Sequence, residues 1–245
     1  MPWSPPTAKP LQIVRVEFPA DEYYPEICIK RQIIGHYSAG RDNARQMFEI
    51  WDMDYRVDKA TGEKKTRRVA CPLGMGDDGI VYQGYDERCY AGHIGLTEKN
   101  SEWKFANKLP LGLIKYLNGP HSTMLEKQSI GLEICNGGPL TKTDRGWETW
   151  FKQVIPEEKI QFYEKPFRGF KAFEKFTSEE INSTWLLYRK LCKEHDIPTT
   201  YNEDMWDLSE RAIRGDAGIW THVAFTTTRA DWHPQPEMIE MLKAL

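Results

Sequence analysis

Apolar and polar positions along the chain change period several times, and each change marks an element. Residues 11–18 read as a short strand, and residues 32–37 as a more buried one, because Ile33 and Ile34 are β-branched neighbours without alternation. After Gly40 the period becomes helical. Ala44, Met47, Phe48 and Trp51 stand at i, i+3, i+4 and i+7, with Asp42 or Asn43 placed as the N-cap. Residues 55–57 and 67–70 flank a charged tip at 59–65, and Asp77-Asp78-Gly79 sets a second turn before Ile80-Val81-Tyr82-Gln83, so this stretch predicts a meander of antiparallel strands.

Residues 129–136 alternate, with Ile130, Leu132 and Ile134 on one face and Gly131, Glu133 and Cys135 on the other, which turns Glu133 away from the apolar side. Thr177-Ser178-Glu179-Glu180 has the capping-box pattern, and Ile181, Trp185, Tyr188 and Cys192 follow at helical spacing until Ile197-Pro198 ends the run. Residues 218–225 read as a strand carrying His222, and residues 236–245 as a closing helix with Met238, Ile239, Met241 and Leu242 apolar. Strands and helices mix without a strict βαβ repeat. The expected fold is α/β or α+β, a central mixed β-sheet flanked by helices. With no internal repeat or low-complexity linker, residues 11–245 are expected to form a single domain, with residues 137–176 as an insertion and the Pro-rich residues 1–10 as a flexible segment.

Composition narrows the classes. Forty per cent hydrophobic residues over 245 positions suffice for a core, while 33 basic against 36 acidic residues give a net charge of −3 and no polycation to hold nucleic acid. The first residues contain no apolar run of signal-peptide length, and no stretch is long enough to cross a bilayer, so the expectation is synthesis in the cytoplasm without membrane insertion. The five cysteines are odd in number, scattered and without a Cys-x-x-Cys pair, against both a disulfide framework and a cysteine-rich metal module.

The chemistry lies in a few positions. His36 stands at the end of its strand, and far downstream come Trp220-Thr221-His222 and then Arg229-Ala230-Asp231. Hydrolytic zinc is usually held by three protein ligands from His, Asp, Glu and Cys, and two strand-end imidazoles plus one carboxylate supply that number. Taken singly, each histidine also reads as a hydrogen-bonded structural imidazole. His233, two residues past Asp231, is an alternative third ligand or a partner to a ligand.

Four segments in order resemble the type 2 N-acetylmuramoyl-L-alanine amidases, the group that includes phage endolysins and is related to peptidoglycan recognition proteins. Gly35-His36-Tyr37-Ser38-Ala39-Gly40 resembles that family's His-His/Tyr-Thr-Ala-Gly segment, and Asp78-Gly79-Ile80-Val81-Tyr82-Gln83 its Asp-Gly-x-Ile-Tyr-Gln hairpin. Ser129-Ile130-Gly131-Leu132-Glu133 is similar to its Ser-Ile-Gly-Ile-Glu strand, and His222 with Arg229-Ala230-Asp231 to its His…Lys-x-Asp/Cys ending. The likeness spans roughly residues 28–245.

What the resemblance implies is a Zn²⁺ site of His36, His222 and Asp231, with Glu133 as general base and acid and Arg229, where the family has lysine, stabilising the oxyanion. Arginine keeps the charge but changes reach and fork geometry, and a solvated Arg229 is the competing reading, as a surface carboxylate is for Glu133. Ala70-Cys71-Pro72 stands where relatives carry an aromatic-histidine pair, so no tyrosine helper is available there. Tyr37, Asn136 and His93 are expected to line the cleft, His93 as a cleft residue from a segment similar to the family's Ala-Trp-His-Ala-Gly and not as a ligand. Trp147, Trp150, Phe151, Phe162, Tyr163, Phe167, Phe170 and Phe173 in the insertion read either as a wall for sugar and stem peptide or as a satellite core, the latter preferred for most of them.

The expected activity is cleavage of the amide between N-acetylmuramic acid and L-alanine in peptidoglycan, by a monomeric phage endolysin acting on the wall after release. The alternatives are a cytoplasmic muropeptide-recycling amidase and a peptidoglycan-binding protein without catalysis.

Overall fold

The computed structural model describes residues 3–5, 10–40, 43–53, 55–57, 60–95 and 120–245. Its frame is a six-stranded mixed sheet of β1 (Ile13–Arg15), β2 (Gln32–Tyr37), β5 (Leu73–Met75), β6 (Val81–Gln83), β7 (Ser129–Ile134) and β13 (Gly218–Thr221). The strands lie in the order β1-β6-β5-β7-β2-β13, and only β5 and β6 pair antiparallel. This is the expected mixed sheet with helices on both faces.

Strand parity decides which helix covers which face. Leu73 and Met75 of β5 stand beside Leu132 and Ile134 of β7, and the long helix α3 (Ser178–His195) packs there, Thr184 reaching the Met75 sulfur. The opposite face carries Gly74, Glu133 and Cys135, against which α1 (Ala44–Asp52) lays Ala44 and Met47. Both helices start as their sequences dictate. Asn43 accepts the Gln46 N–H, and in the capping box Thr177 Oγ1 accepts the Glu180 N–H while the Glu180 carboxylate accepts the Thr177 N–H at 2.7 Å. Asp42 and Lys59, expected in the α1 cap and the charged tip, lie outside the described residues.

Three expectations are corrected. The antiparallel meander is instead two separate hairpins, β3 (Tyr55–Val57) with β4 (Lys64–Thr66), and β5 with β6, because β5 is drawn into the central sheet parallel to β7. Residues 67–70 are not a strand. Nor does the last strand run to Phe225: it stops at Thr221, and His222–Ala224 turn as a 3₁₀ segment. In the N-terminal segment, Trp3 donates to Asn182 at 3.0 Å and packs its ring 6.0 Å from that of Trp185, so that residue is anchored on α3; residues 1, 2 and 6–9 lie outside the described residues.

Helix α2 (Pro120–Gln128) is not among the expected elements, because its apolar periodicity is weak. The insertion builds β8 (Thr141–Thr143), β9 (Gly146–Glu148) and β10 (Val154–Ile155) as one antiparallel sheet, and β11 (Ile160–Phe167) with β12 (Phe170–Glu174) as a ribbon. It has a small core of its own, Leu140, Ile155, Ile160 and Ala172 with Trp147 alongside. The short α4 (Glu210–Arg214) and the closing α5 (Pro236–Lys243) complete the fold. Among the described residues no helix is long and apolar enough to cross a membrane.

Candidate active site

The site forms at the carboxyl ends of three neighbouring parallel strands, where open sheets commonly place ligands. His36 of β2 is the register partner of Glu133 of β7, and Thr221 of β13 pairs with Gly35, so His222 leaves its strand beside His36. The chain then returns, the Val223 N–H donating to the Asp231 carbonyl at 3.0 Å, and delivers the Asp231 carboxylate under both imidazoles. His222 Nδ1 lies 2.9 Å from Asp231 Oδ2 and 3.1 Å from His36 Nδ1, and His36 Nδ1 lies 3.5 Å from the same oxygen. All three side chains are buried.

Proton bookkeeping shows what these three atoms face. Ser129 Oγ sits 2.7 Å from the Leu125 carbonyl, which only accepts, so the serine hydroxyl donates there and its lone pair takes the His93 Nε2–H at 2.9 Å. The bare His93 Nδ1 then accepts the His36 Nε2–H at 2.9 Å. On the other ligand, the Ile94 carbonyl accepts the His222 Nε2–H at 3.0 Å. With one proton on each ring, both Nδ1 atoms present lone pairs to one another and to a carboxylate. A shared proton relieves one of those contacts, whereas a cation relieves all three. Tetrahedral zinc with bonds of about 2.0–2.1 Å separates its ligand atoms by roughly 3.3 Å, within the range of the three distances here.

The electrostatics agree with that reading. Burial, reinforced by His222, lowers the His36 pKa to about 4, so the ring is neutral. Burial pushes Asp231 upward, but positive charge at the His222 contact, with hydrogen bonds from His222 and His36, outweighs burial and holds the carboxyl well below the usual range, so the carboxylate calls for a shared proton or a cation between it and the rings. His93 is lowered well below its ordinary value by burial and by His36.

A second set of donors, His36, Cys71 and His93, also converges. Burial and the Glu133 carboxylate raise the Cys71 thiol well above its ordinary value, and it donates to Glu133 at 3.4 Å. Its two imidazoles are already joined by the His36–His93 hydrogen bond, so this set would have to break a satisfied contact to hold a metal. His36, His222 and Asp231 form the better cradle.

The other expected residues divide. Glu133 and Arg229 line one cleft of about 380 Å³ with the three candidate ligands, and Arg229 is exposed at its rim. Burial, and then the Asp231 charge, raise Glu133 to about 7. Tyr37 and His93 also line the cleft. Asn136 does not, which corrects the expectation: it is 2% exposed, its amide donates to the Glu174 and Lys175 carbonyls, and its oxygen accepts the Gly138 N–H at 2.8 Å. His233 is excluded as third ligand because both nitrogens are occupied, one by the Tyr163 hydroxyl at 2.8 Å and the other by the Glu174 carbonyl at 3.0 Å.

The aromatics of the insertion divide by position. Trp147 and Phe162 pack on each other beside the satellite core, whereas Trp150, which is 70% exposed, and Phe151 line a second groove of about 390 Å³. That groove shares Ser38, Trp51 and Glu133 with the first cleft.

The sequence matches the family model described as N-acetylmuramoyl-L-alanine amidase over residues 28–236. The chain belongs to this amidase family. The match supports N-acetylmuramoyl-L-alanine amidase activity, and the site just described lies within the matched span. Comparison with curated proteins gives no significant match. Among solved structures, the amidase-family chain is similar to PlyL at 13% identity, covering 96% of this chain and 98% of that one with a TM-score of 0.47. It is also similar to the N-acetylmuramoyl-L-alanine amidase LysC from Clostridium intestinale, at 13% identity, 95% of each chain and a TM-score of 0.44. A third similar structure is the Drosophila peptidoglycan recognition protein SD, at 11% identity, 91% and 89% coverage and a TM-score of 0.41.

Proposed function

We propose that this chain is a zinc-dependent amidase that hydrolyses the bond between the lactyl carbonyl of N-acetylmuramic acid and L-alanine in peptidoglycan, in the manner of a phage endolysin that meets the wall after release from the cytoplasm. The observation that carries the zinc reading is the convergence of His36 Nδ1, His222 Nδ1 and Asp231 Oδ2, three lone-pair atoms within 3.5 Å with their protons directed elsewhere. Zinc held there supplies a Lewis acid for the amide carbonyl and a water acidic enough to ionise near neutral pH.

The chain's own residues do the rest. Glu133, raised to about 7, takes a proton from the attacking water and returns it to the amide nitrogen as the C–N bond breaks, leaving a lactyl carboxylate and the free amine of L-alanine. Arg229 brings its guanidinium to the rim, toward the negative charge that develops on the carbonyl oxygen. The continuous cleft and groove exceed what an isolated amide needs and suit a polymer with sugar and peptide on either side of the cut. Trp150 and Phe151 offer apolar faces to that substrate.

The test measures zinc content in the protein and in His222→Ala, beside release of soluble material from purified sacculi and cleavage of soluble anhydro-muropeptides. One zinc per chain with lysis, both lost in the variant, supports the proposal. Cleavage confined to soluble fragments selects a recycling amidase, zinc without cleavage a peptidoglycan-binding protein, and lysis that survives chelation sinks the metal mechanism.

A further inference from the structure

The two candidate ligand histidines draw their orientation from one small assembly. Glu126, in the last turn of α2, is buried, and its carboxylate accepts three successive backbone N–H groups: His93 at 2.9 Å, Ile94 at 3.2 Å and Gly95 at 3.2 Å. The loop so clamped presents the His93 ring to His36 and the Ile94 carbonyl to His222. Three residues further on, Ser129 turns its hydroxyl back to the Leu125 carbonyl and accepts from His93. Glu126 Oε2 also lies 3.7 Å from His93 Nε2, so that nitrogen is surrounded by acceptors. Gly131 makes room for this, since a Cβ there would stand 3.0 Å from His93 Nδ1 and 2.5 Å from the Cys71 sulfur.

We propose that Glu126 and Ser129 are positioning residues that dictate which nitrogen each ligand histidine offers to the metal, Ser129 through the His93 relay to His36 and Glu126 through the 93–95 loop to both His36 and His222. The inference rests on the zinc reading of the site. Groups that orient ligand histidines in this way typically change metal affinity by about 10–100-fold when altered. The two residues differ in reach: loss of the serine hydroxyl frees only the His93–His36 arm, whereas weakening the carboxylate clamp releases both arms.

The test uses ¹⁵N-histidine spectra of the metal-free full chain, which report each ring's tautomer, and zinc affinity by competition with a chromogenic chelator. In the unaltered protein both His36 and His222 are expected as Nε2–H tautomers. Ser129→Ala is expected to mix the tautomers of His36 alone and to weaken zinc by about 10–100-fold, while Ser129→Thr, which keeps the hydroxyl, restores both. Glu126→Gln is expected to disturb both rings, and carries the test if the alanine variant does not fold. Retention of both tautomers and of zinc affinity in Ser129→Ala, or in Glu126→Gln in that event, overturns the proposal. If the unaltered protein binds no zinc, the metal reading itself fails, and the tautomer spectra still decide whether the relay orders the rings.

Discussion

Gly35→Ala tests whether the packing beneath β2 sets the site. An ideal Cβ on Gly35 would lie 2.5 Å from Cε2 and 2.7 Å from Cδ2 and Cζ2 of Trp232. Carbon atoms rest at about 3.5–4.0 Å, so the indole must retreat by roughly 1 Å. It has little room to do so. Trp232 is fully buried, stacked on Tyr188 at 6.0 Å and tilted against Phe176 at 5.8 Å. Overpacking of this kind costs about 1–3 kcal/mol, and at roughly 2–4 °C per kcal/mol for a chain of this size the Tm falls by roughly 2–12 °C. The functional cost follows from the indole's two attachments. Its Nε1–H donates to the His36 carbonyl at 2.8 Å, and its backbone is bonded directly to Asp231, so the shift reaches two of the three candidate ligands. A misplacement near 1 Å can cost about 10²-fold in rate. Thermal unfolding and hydrolysis of purified sacculi measure the two effects. A Gly35→Ala protein with unchanged Tm and unchanged turnover would refute the claim that Trp232 braces the site.

Glu133→Gln is expected to retain zinc while losing about 10²–10⁴-fold in kcat, and the unaltered enzyme's rate is expected to rise with pH through about 7 as Glu133 ionises. The same group has a stability signature in the metal-free protein. Because its folded pKa lies above the ordinary value of 4.5, the native state holds the extra proton, and stability falls as pH rises from about 4.5 to about 7; chemical denaturation of Glu133→Gln should lack that component. Lys30, buried on the approach to β2, donates to the Cys89, Lys127 and Ser129 carbonyls at 2.8–2.9 Å, so Lys30→Met strands three acceptors and should cost about 3 kcal/mol or more, read as Tm. Asn136→Ala should cost about 1 kcal/mol per lost bond and leave KM unchanged, since that amide binds backbone and not the cleft.

Legibility in the sequence followed the range of the interaction. The α3 capping box lies within four consecutive residues, so Thr177 and Glu180 could be paired on sight. The ends of β2 and β7 were visible because His36 and Glu133 interrupt β-branched and alternating apolar runs. Long-range pairing was not visible. Leu73–Met75 has the same local pattern whether it continues a meander or enters a parallel sheet, and only its docking beside β7 decides. Asn136 and His233 carry the polarity of site residues, but their partners, the Glu174 carbonyl among them, come from the insertion and no spacing announces them. Glu126 was missed for a similar reason: α2 has little amphipathic signal, and the three N–H groups that the carboxylate holds are 31–33 positions away.

The cleft holds two buried carboxylates with opposite fates, and the contrast separates their roles. Burial pushes both toward the neutral acid. Asp231 escapes because positive charge shared in its contacts with two imidazoles, His222 at 2.9 Å and His36 at 3.5 Å, outweighs burial, so it stays ionised, as the proposed metal ligand must. Among the described residues Glu133 has no cation in contact. Its near neighbour is the weakly donating Cys71 thiol, and the fixed negative charge on Asp231 adds to the effect of burial, leaving it poised near neutrality where a proton can be both taken and returned. Paired environments that drive two like groups apart let one cleft hold both a permanent anion and, on the proposed mechanism, a proton carrier. The division here follows from which strand end each occupies: Glu133 pairs across β2 with His36 but turns toward Cys71, whereas Asp231 arrives on the return from His222 and is placed between the rings.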